Sequence, residues 1–434
     1  MSLSLRPYQT TLVASTCALV VQGKRPLLQA PTGAGKTVMA TALAAWALAQ
    51  GWTVFFACHR RELVQQTSLT FAAAGLAHGF IAAGRPHDPT ARLFICSVDT
   101  LKSRHAKLAP KPDLVIWDEC HHLGAAGWTK LKSHYSGARH IGLSATPQTA
   151  SGAGLDLHFD ELVEGPQPAW LIAQGSLSPY RYFAPSMPEL ETLGVRAGEY
   201  KSEDAEKAMT KELTGSAIDH YQQHCPGARG VAFCVSITHS KAVAQQFCDA
   251  GIPAAHLDGD TPDDERAETI RRYADGELRV LTNVGLFGEG FDLAALAGKP
   301  VTIDVLFMLR PTKSLGLCIQ MWGRVLRPAD GKVAFIFDHA GCAREHGLPD
   351  DERHHSLNGR VTGPKVGDTD GPLPASPATC LGCFSQIRRP LLSPLCPYCG
   401  GQLVEPRPLP KSNDRELREL KAAEMAALKA AKAQ

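Results

Sequence analysis

Leu27-Leu28-Gln29-Ala30-Pro31-Thr32-Gly33-Ala34-Gly35-Lys36-Thr37 is the stretch on which the fold turns. A short apolar run ends in a glycine-containing loop, and an alanine-rich segment from Val38 to Gln50 follows with helical character. Strand, loop and helix in that order form a phosphate cradle: glycines let backbone N–H groups curl around phosphate oxygens, and the helix N-terminus adds partial positive charge. Pro31 to Gly35 would line the cradle, Lys36 would reach the β/γ-phosphates, and the Thr37 hydroxyl would ligate magnesium. Ala30 stands where the general pattern has its first glycine.

Outward from this loop, β-rich runs recur at Thr53–Cys58, Arg92–Cys96, Leu114–Trp117 and His140–Leu143, separated by helical patterns. Their nearly continuous apolar character is that of strands buried on both faces, and the alternation predicts a parallel α/β sheet. Similar runs resume at Gly230–Val235, Leu278–Leu281, Val301–Leu306 and Lys332–Phe337. The predicted fold class is therefore α/β, with two tandem parallel-sheet domains. A chain of 434 residues is long enough for two or three domains. We divide it into a first lobe at 1–165, connecting segments at 166–215, a second lobe at 216–345 and a polar Gly/Pro-rich linker at 346–376. A cysteine module at 377–405 and a charged helical tail at 406–434 complete the division.

The composition is 44% hydrophobic and 20% charged with a net charge of +2, ordinary for a globular protein. A near-neutral sum neither supports nor excludes a nucleic-acid partner, because acidic surface can cancel a basic track. No apolar run reaches the roughly 20 residues of a membrane span. The expected setting is the cytoplasm of a bacterial or phage-like system, without a membrane partner.

Leu114-Val115-Ile116-Trp117 delivers Asp118 and Glu119 at its C-terminal end, where an α/β sheet places its site. Asp118 can hold magnesium while Glu119 orients or deprotonates the attacking water. Further along, Gln320, Arg324 and Arg327 are spaced to share one helical face.

With the phosphate loop and the Asp118-Glu119-Cys120-His121 box in place, the chain resembles superfamily 2 helicases of the DExH type. Several segments match in order: Arg6-Pro7-Tyr8-Gln9, Arg60 to Gln66, Ser97-Val98-Asp99-Thr100-Leu101, Ser144-Ala145-Thr146, Thr282-Asn283 with Gly288 to Asp292, and Gln320 to Arg327. Arg310 to Ser314 is similar to Rad25-like repair helicases and restriction-enzyme motor subunits. The resemblance implies two RecA-like lobes with ATP bound between them. It implies adenine sensing by Arg6 and Gln9 and ribose contacts from Gly290 and Asp292. Nucleic-acid grip would fall to Arg61, Gln65, Thr100 and Thr282, and coupling of hydrolysis to lobe movement to His121, Ser144 and Thr146. Catalysis would rest on Lys36, Asp118, Glu119, Gln320, Arg324 and Arg327. Such relatives act mostly on duplex or branched DNA, which favours DNA over RNA. A non-unwinding, DNA-stimulated ATPase subunit of a larger complex stays open beside a true helicase, as does an RNA helicase.

Among 13 cysteines, Cys380, Cys383, Cys396 and Cys399 form two pairs at two-residue spacing. Each pair can offer two thiolates to one ion, and four complete a closed tetrahedral zinc site of zinc-ribbon type. Iron of the rubredoxin kind is chemically possible. With Arg388 and Arg389 on its intervening loop, the module is expected to bind nucleic acid or a protein partner.

Overall fold

The structure, a computed structural model, describes residues 4–404 apart from 105–110, 150–151, 185–192, 197–198, 210, 287–292, 360–376, 381–382, 384 and 389–390. Gly290, Asp292, Arg389 and the tail from 405 onward therefore lie outside the described residues.

The first lobe carries seven strands: β1 (Pro26–Gln29), β2 (Val54–Cys58), β3 (Gly79–Ile81), β4 (Leu93–Ser97), β5 (Leu114–Trp117), β6 (Arg139–Ser144) and β7 (Glu161–Glu164). They pair in parallel in the order β3-β4-β2-β5-β6-β1-β7. Every residue of β1, β2 and β5 is buried, as expected of strands covered by helices on both faces. Strands β3 and β7 are short edge strands that the apolar pattern did not single out.

In the second lobe, β8 (Tyr180–Phe183) lies beside β11 (Gly230–Cys234), β12 (Ala254–Leu257), β13 (Val280–Asn283), β14 (Val305–Leu309) and β15 (Ala334–Asp338). A two-residue hairpin, β9 (Val195–Arg196) with β10 (Glu199–Tyr200), stands apart from it. The six-stranded order is β12-β13-β11-β14-β15-β8, all parallel. The stretch 166–215, expected to be connecting segments alone, supplies the edge strand of the second sheet, because Phe183 and Tyr182 bury against β15 and outweigh the polarity around them. One apolar cluster runs from the first sheet through Leu171 and Leu177 into the second, so the lobes share a continuous core.

The 346–376 linker is likewise corrected over its first half. Residues 346–359 return from the second lobe to the first. There Leu155 and Asp156 both donate their N–H groups to the Leu357 carbonyl, and Ala153 pairs with Gly359. Gly154 and Gly359 cross so closely that a Cβ on Gly154 would sit 2.3 Å from the Leu357 oxygen, which is why both are glycine. Beyond it a three-stranded sheet, β16 (Ala378–Cys380) between β17 (Gln386–Ile387) and β18 (Leu403–Val404), carries the cysteines.

Candidate nucleotide cleft and cysteine centre

Strands β5, β6 and β1 are neighbours, so the box after β5, the Ser-Ala-Thr segment after β6 and the phosphate loop after β1 meet at one edge of the sheet. Gly33 and Gly35 adopt φ of +91° and +82°, curling the loop before the helix Lys36–Ala49 opens. The first-turn N–H groups of that helix have no intrahelical partner and face the loop's concavity. Ala30 donates its N–H to the Ser144 carbonyl at 3.1 Å and so prolongs the β1 ladder. In that extended position a Cβ is tolerated, and a glycine is not required. Lys36 Nζ rests 3.3 Å from the Ala30 carbonyl, across the cradle.

The two carboxylates sit where the sequence places them. Glu119 is the only non-glycine residue with positive φ among the described residues (φ 47°, ψ 52°). An L-residue held there costs about 1–2 kcal/mol, a strain that marks a site where the position of a side chain outweighs backbone comfort. Cys120, next in sequence after the two acids, is fully buried. Burial pushes its thiol far above the ordinary range, the fields of Glu119 and Asp118 push it further, and Lys36 pulls it back. That opposition places Lys36 and both acids in one electrostatic neighbourhood. Thr37 and Asp118, as a hydroxyl and a carboxylate, are the hard oxygen donors that magnesium takes, and they fit the ion's usual role beside a triphosphate.

The coupling residues are brought together. His121 Nδ1 lies 3.5 Å from Glu119 Oε2 and 3.2 Å from Ser144 Oγ. Ser144 Oγ donates to the Thr146 carbonyl and accepts from the Thr146 N–H. Thr146 in turn faces the helix Leu315–Val325 of the second lobe, where a Cβ on Gly316 would lie 3.4 Å from Thr146 Oγ1. Two turns on, a Cβ on Gly323 would lie 2.1 Å from Thr32 Cγ2 in the phosphate loop. Gly316 and Gly323 thus seat this helix directly against the nucleotide side of the first lobe. Ile319, between them, shares a small cavity with Gln29, Pro31 and Ala145.

Gln320 and Arg324 are buried on the same helix, and Arg324 and Arg327 line an adjoining cavity of about 280 Å³ in the second lobe with Lys332. Ser178 donates its N–H to the Leu326 carbonyl and its hydroxyl to the Arg327 carbonyl, fixing the end of that helix. Gln9 is buried. Its Nε2 donates to the Ala34 carbonyl at 3.0 Å while its Oε1 accepts from the Arg6 N–H, so it ties the upstream element to the phosphate loop. Arg6 reaches the Ser176 carbonyl, a contact to the connecting segment.

The nucleic-acid residues divide. A cleft of about 670 Å³ runs between the lobes and is lined by Gln65, Arg85 and Ser97 on one side and Gly259, Thr261 and Arg266 on the other. Gln65 is on that wall, held by Arg85. Thr100 is buried and does not line the cleft, and the Arg61 side chain lies outside what is described. Thr282 is a correction: fully buried, its hydroxyl donates to the Ser240 carbonyl and meets Ser240 Oγ at 2.9 Å, because the β13 register turns it inward toward the helix Ile237–Asp249. Arg85, Thr261 and Arg266 line the same cleft, although no sequence motif points to them. Arg60 Nη1 donates to the Gly285 carbonyl across the lobes, and nothing in its sequence neighbourhood distinguishes it from Arg61. The glycines at 316 and 323, seven residues apart and so on one helical face, were the available signal for the lobe contact.

At the cysteine centre, the four ligand sulfurs lie within 4.8 Å of one another, with Cys380–Cys399 at 3.4 Å and Cys383–Cys396 at 3.6 Å. Tetrahedral zinc with 2.3 Å bonds separates sulfurs by roughly 3.8 Å, so one ion fits. Backbone N–H groups of Cys383, Tyr398 and Gly401 point at three of the sulfurs, as the outer shell of a thiolate site does.

Comparison with known proteins agrees with this geometry. Residues 2–149 match the family described as "Type III restriction enzyme, res subunit", and residues 213–329 the "Helicase conserved C-terminal domain". A 51.5 kDa protein of a Lactococcus phage (isolate 7-9) is 32% identical over 76% of this chain and 68% of its own length. The chain belongs to the superfamily 2 helicases. It is an ATP-hydrolysing enzyme of that class. The Saccharomyces cerevisiae protein IRC3, named as an ATP-dependent helicase, is 28% identical over 78% of this chain, which spans about half (52%) of that relative. In fold, the chain is similar to the ATP-dependent Type ISP restriction-modification enzyme LlaBIII, solved bound to DNA, with a TM-score of 0.57 and 16% identity over 77% of this chain and 27% of that one. Among the described residues, no helix is long and apolar enough to cross a membrane.

Proposed function

We propose that this enzyme is a DNA translocase, driven by ATP hydrolysed between its two lobes. The observation that carries the reading is the seating of the Leu315–Val325 helix on the phosphate loop, through Gly323 against Thr32 and Gly316 against Thr146. A nucleotide in the cradle would have Lys36 at its phosphates. Thr37 and Asp118 would hold the magnesium, which neutralises phosphate charge and orients the γ-phosphoryl group. Glu119 takes the proton of the attacking water, and its unusual backbone conformation aims it there. Arg324 and Arg327 lie one and four residues beyond the glycine that touches the loop, and from the second-lobe cavity that they line a rearrangement of the helix would bring guanidinium charge to the γ-phosphate.

After hydrolysis that charge loses its partner. The change at Glu119 passes through His121, Ser144 and Thr146 to the helix of the opposite lobe. The lobes then alternate between tight and loose states, a population shift driven by the nucleotide. DNA would lie in the cleft between Gln65 and the Gly259–Thr261 turn, gripped by its backbone and without base readout. The relationship to restriction and helicase proteins supports DNA over RNA, and the cytoplasm as the place of action.

The test is phosphate release in parallel with single-stranded DNA, duplex, forked DNA and RNA, with Lys36→Ala as the inactive control. DNA should stimulate turnover at least tenfold more than RNA does. Equal rates with and without DNA, or stimulation by RNA alone, would overturn the proposal. Strand displacement on the forked substrate then separates unwinding from translocation.

A further inference from the structure

We propose that the four-cysteine module is an internal clasp, whose partner is the returning segment 346–359 of its own chain, and that through this segment it positions the Leu315–Val325 helix for catalysis. The module lies along the edge of the second sheet. Strand β17 packs against β8, Ser385 pairs with Phe183, and Arg181 sits 4.9 Å over the Tyr398 ring. Arg388, the basic residue that invites a nucleic-acid role, reaches Asp350 at 2.5 Å and Asp351 at 3.0 Å. Tyr180, at the start of β8, donates its hydroxyl to the same Asp350. Edge strand, module and returning segment therefore meet on one carboxylate pair.

The segment they hold is built around Arg353. Its guanidinium donates to the carbonyls of His346, Leu348, Pro349 and Asp351 at 2.8–3.2 Å, folding residues 346–353 into a closed loop about a half-buried cation. Burial draws its pKa down, yet an arginine keeps its charge under these conditions, so the four carbonyls are its means of satisfaction. Its guanidinium also lies 5.6 Å over the Trp322 ring. Trp322 is the residue before Gly323 on the helix that touches the phosphate loop. The Arg353 backbone exchanges two hydrogen bonds with the Gln167 side chain, at 2.8 and 3.1 Å, in the connection between the lobes.

From there the segment runs to its anchor on the first lobe at Leu357 and Gly359. One continuous path thus joins the cysteine module, the helix bearing Arg324 and the 153–156 stretch of the first lobe. Arg353 is a positioning residue. The module's contribution is to keep the Asp350–Asp351 turn docked, so that helix and phosphate loop stay in register as the lobes open and close.

Charge reversal in the full-length protein tests this. Arg388→Glu should raise hydrogen–deuterium exchange in 346–359 and in the Leu315–Val325 helix at least tenfold, and lower kcat about tenfold. The KM for ATP and the affinity for single-stranded DNA should stay within twofold. Asp350→Arg combined with Arg388→Glu should restore both protection and kcat, which excludes a mere folding defect. Stripping the module with a zinc chelator should reproduce the exchange pattern of Arg388→Glu. If Arg388→Glu instead weakens DNA binding severalfold while exchange in 346–359 is unchanged, the module reads nucleic acid and the clasp is wrong. If the double variant fails to regain protection, the proposal also falls. Exchange needs neither DNA nor turnover, so this outcome is independent of whether the enzyme translocates on DNA.

Discussion

The two lobes contribute to the cleft in different ways. The first presents its groups from the ends of three adjacent strands, β5, β6 and β1, so the sheet itself sets their spacing. The second carries Gln320, Arg324 and Arg327 on a single helix and its end, beside a cavity of its own, and the seat of that helix depends on two glycines, on Ser178 and on the returning segment at Trp322. A strand-end site is rigid because its neighbours are hydrogen-bonded to it. A helix set on a surface of small residues can slide or lift. The nucleotide side should therefore be preorganised, and the guanidinium side should be the part that moves.

The comparison is tested most severely by Arg324→Ala. A finger arginine in other nucleotidases contributes on the order of 10³–10⁵ in rate. The variant is expected to lose turnover at the lower end of that range while its nucleotide affinity, measured by fluorescent-analogue titration, changes less than about threefold. Loss of affinity equal to the loss of rate would mean that the second lobe is as preformed as the first. Next in size is Glu119→Gln, which keeps shape but removes the base. General-base catalysis supplies about 10²–10⁴, so turnover should drop by that factor with ATP still bound, and single-turnover phosphate release would show it. An unchanged rate would assign the base elsewhere.

A smaller effect should treat the lobes alike. His140, in β6, accepts the Trp117 indole N–H at Nδ1 3.1 Å away, and burial draws its pKa down from 6.5 to about 3. His339, just after β15, is likewise pushed down to about 3 by burial. Both are neutral in the folded protein at pH 7. The unfolded chain takes up a proton at each near pH 6.5, which the folded chain resists until about pH 3. Stability from these sites is therefore complete above 6.5 and lost as pH falls from 6.5 toward 3. Urea midpoints at pH 7.5 and 5.5 should fall for the wild type, and His140→Gln should lessen the drop. A flat profile would show that the two histidines are protonated in the folded state.

The first lobe was legible because its motifs are contiguous in sequence and its central strands β1, β2 and β5 are fully buried. Ala30 to Thr37 and Asp118 to His121 need only their own strand to be placed. The second lobe hid more. Strand β8 reads as part of a polar connection, since the partner that buries it, β15, lies about 150 residues on. Segment 346–359 looks like a linker by composition, and only the Gly154–Gly359 crossing and the Arg353 loop give it structure, contacts no local pattern encodes. The ion pairs of Arg388 were not legible either, because its acidic partners lie some forty residues earlier.

Thr282 offers the finest test of this divide, because motif likeness and structure disagree about it. By likeness it grips a phosphate; in the structure its hydroxyl is taken up by Ser240, whose own hydroxyl also meets His256 Nδ1 at 2.7 Å, with Asp258 on the far ring nitrogen at 2.9 Å. Asp258 in turn holds the N–H groups of Asp260 and Thr261, the turn that lines the interlobe cleft. Thr282→Val keeps the shape and removes the hydroxyl. A direct hydrogen bond to a charged phosphate is worth about 1.5–3 kcal/mol net, so its loss would weaken DNA binding by roughly ten- to a hundredfold. With the hydroxyl buried, the affinity for single-stranded DNA should instead change less than twofold, while the urea midpoint falls by the equivalent of about 1 kcal/mol for the partner left at Ser240. If affinity falls and the midpoint does not, β13 must turn its side chain outward when nucleic acid binds, and the second lobe would be more plastic than its parallel sheet implies.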